Sequence, residues 1–322
     1  MIKNCPLATI HILTYNAFDH IYVNLDSVLR QTYSNIEIVI ADDGSKSFPK
    51  REIEDYISHH KRDNITNVVI IANEKNVGTV KNLNNAIRHS KGEVYIPLSQ
   101  DDDFFSADVV ERIMNRYIEH PYKVLITSRY GVNKNGEFQR FWPHVKARRI
   151  IEKMSTSQMF RAYSESWYTG LASGSVMNIS ADFIKEFGLF DERYVLWEDG
   201  PFFFKCLLQG YKIDTAYDII SIRYEQTEGV SNSPNQLIKK DIQLFLNTDF
   251  KLGRDDYGFM HKRYMLFLDK VAKPNKVLYR LFVNLLFLDV FIYRLYRSEL
   301  LRDWRNYDKV WLESKDLVNY IH

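Results

Sequence analysis

The first hundred residues alternate between short β-branched runs and stretches with apolar residues at helical spacing, and few architectures accommodate that rhythm. Residues 9–14 (TIHILT) read as a buried strand. Residues 21–30 put Ile21, Leu25, Val28 and Leu29 on one helical face, and residues 36–41 (IEIVIA) read as a strand again. A helix over 52–60, a strand over 68–72 (VVIIA), a helix over 80–90 and a strand over 94–98 (VYIPL) continue the series. This repetition predicts an α/β fold: a mostly parallel central sheet with helices on both faces. Ligands of such sheets bind beyond the carboxyl ends of the strands, so the residues that follow each strand carry the functional information.

Those residues are polar and acidic. Strand one runs into Thr14-Tyr15-Asn16 and strand two into Asp42-Asp43-Gly44-Ser45. Strand three runs into residues 73–78, and strand four into Ser99-Gln100-Asp101-Asp102-Asp103. Farther on, a helix over 109–119 leads to a strand over 124–128. Turn residues near Gly136 predict a hairpin within 133–142. Ser173-Gly174-Ser175 reads as a loop entering a strand. Pro201 suits the first turn of a helix over 202–209 that Gly210 closes. Beyond Lys239 the spacing is helical. Residues 276–297 are dense in Leu, Phe and Tyr and flanked by basic residues. Arg280, Asn284 and Asp289 interrupt them, whereas a membrane span requires about 20 apolar residues with few charges.

Composition narrows the function classes. Apolar residues make up 45 % of the 322, enough for a sizeable core. Forty-three Lys and Arg against 41 Asp and Glu leave a net charge of +2, without the basic excess of a nucleic-acid binder. Cys5 and Cys206 are far apart and in no metal-ligand spacing, which argues against a disulfide scaffold and a cysteine zinc site and fits a reducing compartment. The first residues lack the apolar run of a signal peptide, so a cytoplasmic location is expected.

Three consecutive carboxylates at one strand end repel each other unless a cation intervenes. Mg²⁺ typically takes one or two carboxylates plus substrate phosphates. In an extended segment Asp101 and Asp103 share a face; at a turn Asp101 and Asp102 converge instead. The plain alternative is a solvated turn in which Asp103 or Ser106 caps the next helix. Asp42-Asp43-Gly44-Ser45 reads either as a tight turn or as an acceptor for a base or ribose. Dinucleotide-binding proteins also place an acid there but need a glycine-rich first turn, and residues 14–19 contain no glycine. Tyr15 offers a ring that either stacks on a base or packs. His11, inside a strand, is expected to be a core histidine.

The segments ILTYN, SVLRQTYSNIEIVIADDGS, NVGTVKNLNNAIRHSKGEVYI, SQDDDFF and FDERYVLWEDGPFFFKCLLQGYKI occur in this order over roughly two thirds of the chain. Together they resemble the family-2 glycosyltransferases, inverting enzymes of the GT-A fold that use nucleotide-sugar donors. The resemblance implies a GT-A domain over 1–232 and a C-terminal helical region over 233–322. It implies that Thr14, Tyr15 and Asn16 line the nucleobase pocket, that Asp43 contacts the base with Asp42 in support, and that Lys81 approaches base or phosphates. Asp101 would touch the ribose and Asp102 the metal, Mg²⁺ or Mn²⁺, with Asp103 an additional acid. Ser99 stands where many members carry aspartate. Glu198-Asp199 matches the family's acid pair: Asp199 as the base that takes the acceptor's proton, kept ionised by a helix N-terminus, and Glu198 as its orienting neighbour. The alternative for Asp199 is a helix N-cap.

Ser173, Gly174 and Ser175 fall where the family has an acceptor-side loop, with a strand-entry turn as the alternative. Residues 223–233 are expected to form a loop closing over the diphosphate, with Arg223 as charge partner. The implied donor is UDP-linked, and the implied acceptor is a glycan or lipid-linked chain of bacterial surface polysaccharide. The basic-flanked C-terminal helices suit a membrane interface, a packed subdomain or a homodimer. Two other functions are weighed. A nucleotidyltransferase acting on sugar phosphates would show a glycine-rich basic loop near the N-terminus, and none is seen. A non-catalytic transferase-like protein would not need to retain all these acids.

Overall fold

The computed structural model describes residues 5–133, 135–165, 173–225, 235–253, 257–260, 262–263, 266–267 and 277–292. Its first part is the expected alternation: β1 (Ala8–Thr14), α1 (Ile21–Leu29), β2 (Ile36–Asp42), α2 (Lys50–His60), β3 (Ile65–Ala72), α3 (Thr79–Arg88) and β4 (Val94–Ser99). After it come β5 (Asp103–Phe104), α4 (Val109–Glu119), β6 (Val124–Val132), β7 (Phe138–Trp142), α5 (Val145–Ile151) and α6 (Thr156–Glu165). A 3₁₀ turn (Gly174–Val176) then enters β8 (Met177–Ser180), followed by α7 (Ala181–Phe187), α8 (Asp199–Leu208), β9 (Asp214–Glu225), α9 (Gln236–Asn247), α10 (Asp249–Leu252) and α11 (Val277–Leu286).

The strands form one sheet in the order β3-β2-β1-β4-β8-β6-β9-β5, with β7 paired to β6. β3, β2, β1 and β4 are mutually parallel. β8 is antiparallel to both β4 and β6, so β6 runs in the direction of β4, and β9 lies parallel to β6. β7 and β5 are also antiparallel to their neighbours, β6 and β9. The start of β8, with its 3₁₀ turn, arrives at the rim where β1, β2 and β4 end.

Every residue of β2 is buried, as a strand covered on both faces requires. Glu37, in the interior of the strand, is satisfied there. It accepts from Asn67 Nδ2 at 2.7 Å and from the Lys91 amide at 2.8 Å. His11 is buried and neutral, its ring 5.1 Å from Tyr95 and burial holding its pKa down at about 3. It is the core histidine expected.

The C-terminal part contributes to two cores. Phe245, Phe250 and Tyr257 join the main one. Phe245 packs 5.0 Å from Phe204 of α8 and 5.4 Å from Trp197. Val283, Phe287 and Val290 form a separate cluster with Met260, Phe267 and Tyr279. Leu281, Phe282, Leu285, Leu288, Phe291 and Ile292 remain exposed around it. Among the described residues no helix is long and apolar enough to cross a membrane.

Element boundaries move where tertiary partners act. β6 continues to Val132, past the expected 128, because β7 and β9 pair with it on both sides. Arg223 lies not in a loop but in β9, opposite Asp103 of β5, because pairing with β6 extends the strand through Glu225. Residues 226–233 of the expected loop lie outside the described residues.

Candidate active site

The rim is built by polar side chains that tie loops together. Asp42, at the end of β2, accepts from Thr14 Oγ1 at 3.1 Å and from the Ser45 amide at 2.8 Å. Asp43 accepts from the amides of Val77 at 2.8 Å and Gly78 at 3.0 Å, and from Asn73 Nδ2 at 3.2 Å. Both carboxylates are buried, and their first task is to fasten the loops after β1 and β3. Gly44 permits this. Its φ is +72°, and a Cβ there would lie 2.3 Å from the Lys75 carbonyl carbon. Asn16 adopts φ +53°, donates its amide to Ser45 Oγ at 2.8 Å and accepts at Oδ1 from the Lys46 amide at 3.1 Å. Thr14 is buried, whereas the Tyr15 ring is 45 % exposed and free to meet a base. Lys81 is exposed in the first turn of α3.

The acids after β4 sit on a loop held from beneath by α1. Asn24 Nδ2 donates to the carbonyls of Ser99 at 2.8 Å and Asp102 at 2.7 Å. Ser27 accepts from the Phe104 amide at 3.0 Å, and Gln31 donates to the Ser106 carbonyl at 2.8 Å. Asn24 and Ser27 lie on one buried edge of the helix, at the i, i+3 spacing that brings side chains into line, and Gln31 follows just beyond its C-terminal end. Asp102 is buried, and its Oδ1 has no hydrogen-bond partner. Burial, and then the Asp101 charge, push its pKa well above the ordinary carboxylate range, while Arg129 opposes them. Asp103 turns elsewhere. Its Oδ1 lies 3.6 Å from His20 Nε2, and the charges of Arg223, His20 and Arg30 counter the upward push of burial on its pKa.

The three acids therefore do not gather around one point, and among the described residues no group of three His, Cys, Asp or Glu side chains is placed to hold an ion. The donor set that fits a hard divalent cation is Asp102, with its unpartnered buried oxygen, and the partly open Asp101. Two carboxylates are what Mg²⁺ or a similar ion takes when diphosphate oxygens and waters complete its shell.

Glu198 and Asp199 come to the same cleft from α8. Asp199 is the first helical residue rather than the N-cap, and its Oδ2 accepts from the Gly174 amide at 2.8 Å. Glu198 and Ser99 share the wall of a cavity of about 90 Å³ beneath α3, so Glu198 and the end of β4 face a common space. Burial, and next the Asp199 charge, push Glu198 up to about 8. Burial also raises Asp199, against the Gly174 and Gly200 amides and Arg129. Burial thus disfavours charge on both acids, while the Gly174 and Gly200 amides and Arg129 favour it on Asp199.

Ser173, Gly174 and Ser175 are next to this pair. A Cβ at Gly174 would lie 2.4 Å from Glu198 Oε1, so any larger residue there displaces the Glu198 carboxyl. The hydroxyls of Ser173 and Ser175 accept from Arg129 Nη1 at 3.4 and 3.2 Å.

Three supporting residues carry no local signal in the sequence. Arg129 is a single arginine within a strand. Asn24 sits in an otherwise ordinary amphipathic helix. Asp241 of α9 is buried 44 to 46 residues downstream of its partners: it accepts from the amides of Val195 at 3.0 Å, Leu196 at 2.7 Å and Trp197 at 3.1 Å. It thereby fixes the backbone immediately before Glu198.

A family model described as glycosyl transferase family 2 matches residues 9–180. An uncharacterized glycosyltransferase of Rickettsia felis is 28 % identical over 207 residues, covering 63 % of this chain and 32 % of that protein. A chondroitin synthase of Escherichia coli is 32 % identical over 116 residues, 36 % of this chain and 16 % of that one. The chain thus spans about a third or less of the length of the first curated relatives it matches. Among solved structures, S. aureus TarS 1-349 in complex with UDP-GlcNAc superposes with a TM-score of 0.57 at 21 % identity, covering 81 % of this chain and 70 % of that one. That likeness concerns the fold alone. With the family model covering β1 through β8, the conclusion is that the chain belongs to glycosyl transferase family 2 and has the GT-A architecture.

Proposed function

We propose that the protein transfers a sugar, with inversion, from a UDP-linked donor to a glycan or lipid-linked acceptor in surface-polysaccharide assembly. The observation that carries this reading is the meeting of two acid sites: Glu198, beside Asp199, lines one cavity with Ser99 at the end of β4, and the Arg129 charge acts on both Asp102 and Asp199. On this reading Tyr15 stacks on the base, Asp43 and Asp42 shape the base pocket, Asp101 meets the ribose and Lys81 approaches the diphosphate. A divalent cation held by Asp102 and Asp101 supplies charge neutralisation for the departing nucleoside diphosphate. Asp199 accepts the proton of the attacking hydroxyl, and a base whose pKa is raised toward the working pH does so more effectively. Glu198 orients Asp199 or the acceptor. UDP is chosen because the TarS structure holds a UDP-sugar, and a polysaccharide acceptor because a relative is a chondroitin synthase.

The test is release of UDP from a panel of UDP-sugars in the presence of lipid and glycan acceptors, with Mg²⁺, Mn²⁺ or EDTA. Asp199→Asn abolishes transfer and leaves UDP binding by calorimetry unchanged. Near wild-type turnover in that variant removes the base assignment. The exposed apolar side of α11 is read as a contact with the inner face of the plasma membrane. Wild type floats with anionic vesicles and the triple variant Leu281→Glu, Leu285→Glu, Leu288→Glu does not; equal behaviour removes the membrane contact.

A further inference from the structure

Arg129 stands in the middle of the site, and no role in the reaction has been given to it so far. Its guanidinium is clamped between rings, 4.4 Å over Tyr224 and 5.3 Å over Trp142. From there its Nη1 donates to the hydroxyls on both sides of Gly174, at 3.2 Å to Ser175 and 3.4 Å to Ser173. Those hydroxyls also lie 3.1 Å from each other. Between them, the Gly174 amide donates to Asp199 Oδ2 at 2.8 Å. The chain of contacts runs from a rigidly stacked side chain, through a three-residue turn, to one oxygen of the carboxylate. The turn enters a strand of only four residues and packs against Glu198, whose Oε1 would lie 2.4 Å from a Cβ at 174.

We propose that Arg129 is the positioning residue of the base: by gripping Ser173 and Ser175 it holds the turn so that the Gly174 amide aims at Asp199. This rests on the reading of Asp199 as the base. The groups that face Asp199 are Glu198 beside it, Arg129 from β6 and Tyr163 from α6, with Asp241 of α9 acting on Glu198. Arg129 is the cation of this set, so it also favours the ionised form of Asp199, opposing burial. Misplacing a reacting group by about 1 Å costs on the order of 100-fold in rate. A lost opposite charge nearby raises a carboxylate's pKa by about 1 or more.

The experiment compares wild type with Arg129→Gln, Arg129→Lys and the double variant Ser173→Ala/Ser175→Ala, using the UDP-sugar and acceptor that the wild type turns over. In Arg129→Gln, kcat falls about 100-fold, UDP affinity measured with EDTA, and so apart from any effect of Arg129 on Asp102, stays within twofold, and the acidic limb of the kcat profile moves up by about one pH unit. Arg129→Lys restores the position of that limb but only part of kcat. The serine double variant lowers kcat with the limb in place. A tenfold loss of UDP affinity with EDTA in Arg129→Gln overturns the proposal, because Arg129 is then a diphosphate ligand. A lower Tm with unchanged kcat and pH profile overturns it as well, because the stacking is then only structural. If Arg129→Gln does not fold, the serine variant decides: wild-type kcat there refutes the grip. An active Asp199→Asn removes the base reading and this inference together. A dead Asp199→Asn beside an unaltered Arg129→Gln removes this inference alone.

Discussion

Asp241 offers the most direct link between a distant helix and the acid pair. Three consecutive amides, those of Val195, Leu196 and Trp197, converge on its carboxylate at 2.7 to 3.1 Å, and it is 3 % exposed. Successive N–H groups around an anion form a nest, in which each donor is charge-assisted. Such a bond contributes about 1.5–3 kcal/mol, and an orphaned buried donor costs about 1–3 kcal/mol. Water entering the truncated site restores part of this, so Asp241→Ala should cost about 4 kcal/mol. Asp241→Asn retains one acceptor oxygen but turns an NH₂ toward the donors, and about half that loss is expected. At about 2 °C per kcal/mol for a chain this large, the Tm of Asp241→Ala falls by about 8 °C. Release of the 195–197 backbone also unsettles Glu198 and Asp199, the next residues, so kcat measured at 10 °C, where the variant stays folded, falls about tenfold or more. Thermal melts and low-temperature kinetics check the two parts separately. An unchanged Tm refutes the clamp. A lower Tm with wild-type kcat refutes its connection to the acid pair.

Glu198 supplies a prediction in pH. Its folded-state pKa of about 8 exceeds its ordinary 4.5, so the stability it contributes is complete below pH 4.5 and is lost as pH rises through about 8. The interval caps the effect at about 5 kcal/mol, and the part of the side chain open to the cleft reduces it to about 2–3 kcal/mol. Glu198→Gln should therefore be more stable than wild type at pH 8 and nearly equal at pH 4.5 in urea titrations; parallel curves would contradict the burial argument. Asn24→Ala loses two buried bonds to the loop that carries Asp102. It should cost about 2–3 kcal/mol in denaturant midpoints and weaken Mn²⁺-linked UDP binding by calorimetry. Undiminished binding would show that α1 does not position the acids.

What could be read in advance was whatever a local pattern encodes. β2, α3 and β4 were legible because strand and helix periods are written in consecutive residues. The acids at the ends of β2 and β4 followed, since a parallel sheet brings its carboxyl ends together. Glu198-Asp199 was legible through its family resemblance, and the place of Asp199 at the start of α8 through the helix signals around Pro201. The split among the three consecutive aspartates was not legible, because neighbours in sequence can diverge in direction. Asp103 faces His20 at 3.6 Å while Asp102 is left with a bare buried oxygen.

The sequence by itself thus determined the alternating α/β order, the acidic rim and the family. Only tertiary structure decided how the acids are held and aimed. The reversal of β8 carries the Gly174 turn to the rim. Arg129 grips that turn from β6, Asn24 reaches Asp102 across 78 residues and Asp241 reaches Leu196 across 45. Each of these side chains is unremarkable among its neighbours in the chain, since a hydrogen bond acts over about 3 Å of space and leaves no mark on residue spacing. Such a bond becomes visible only when folding has brought its two ends together.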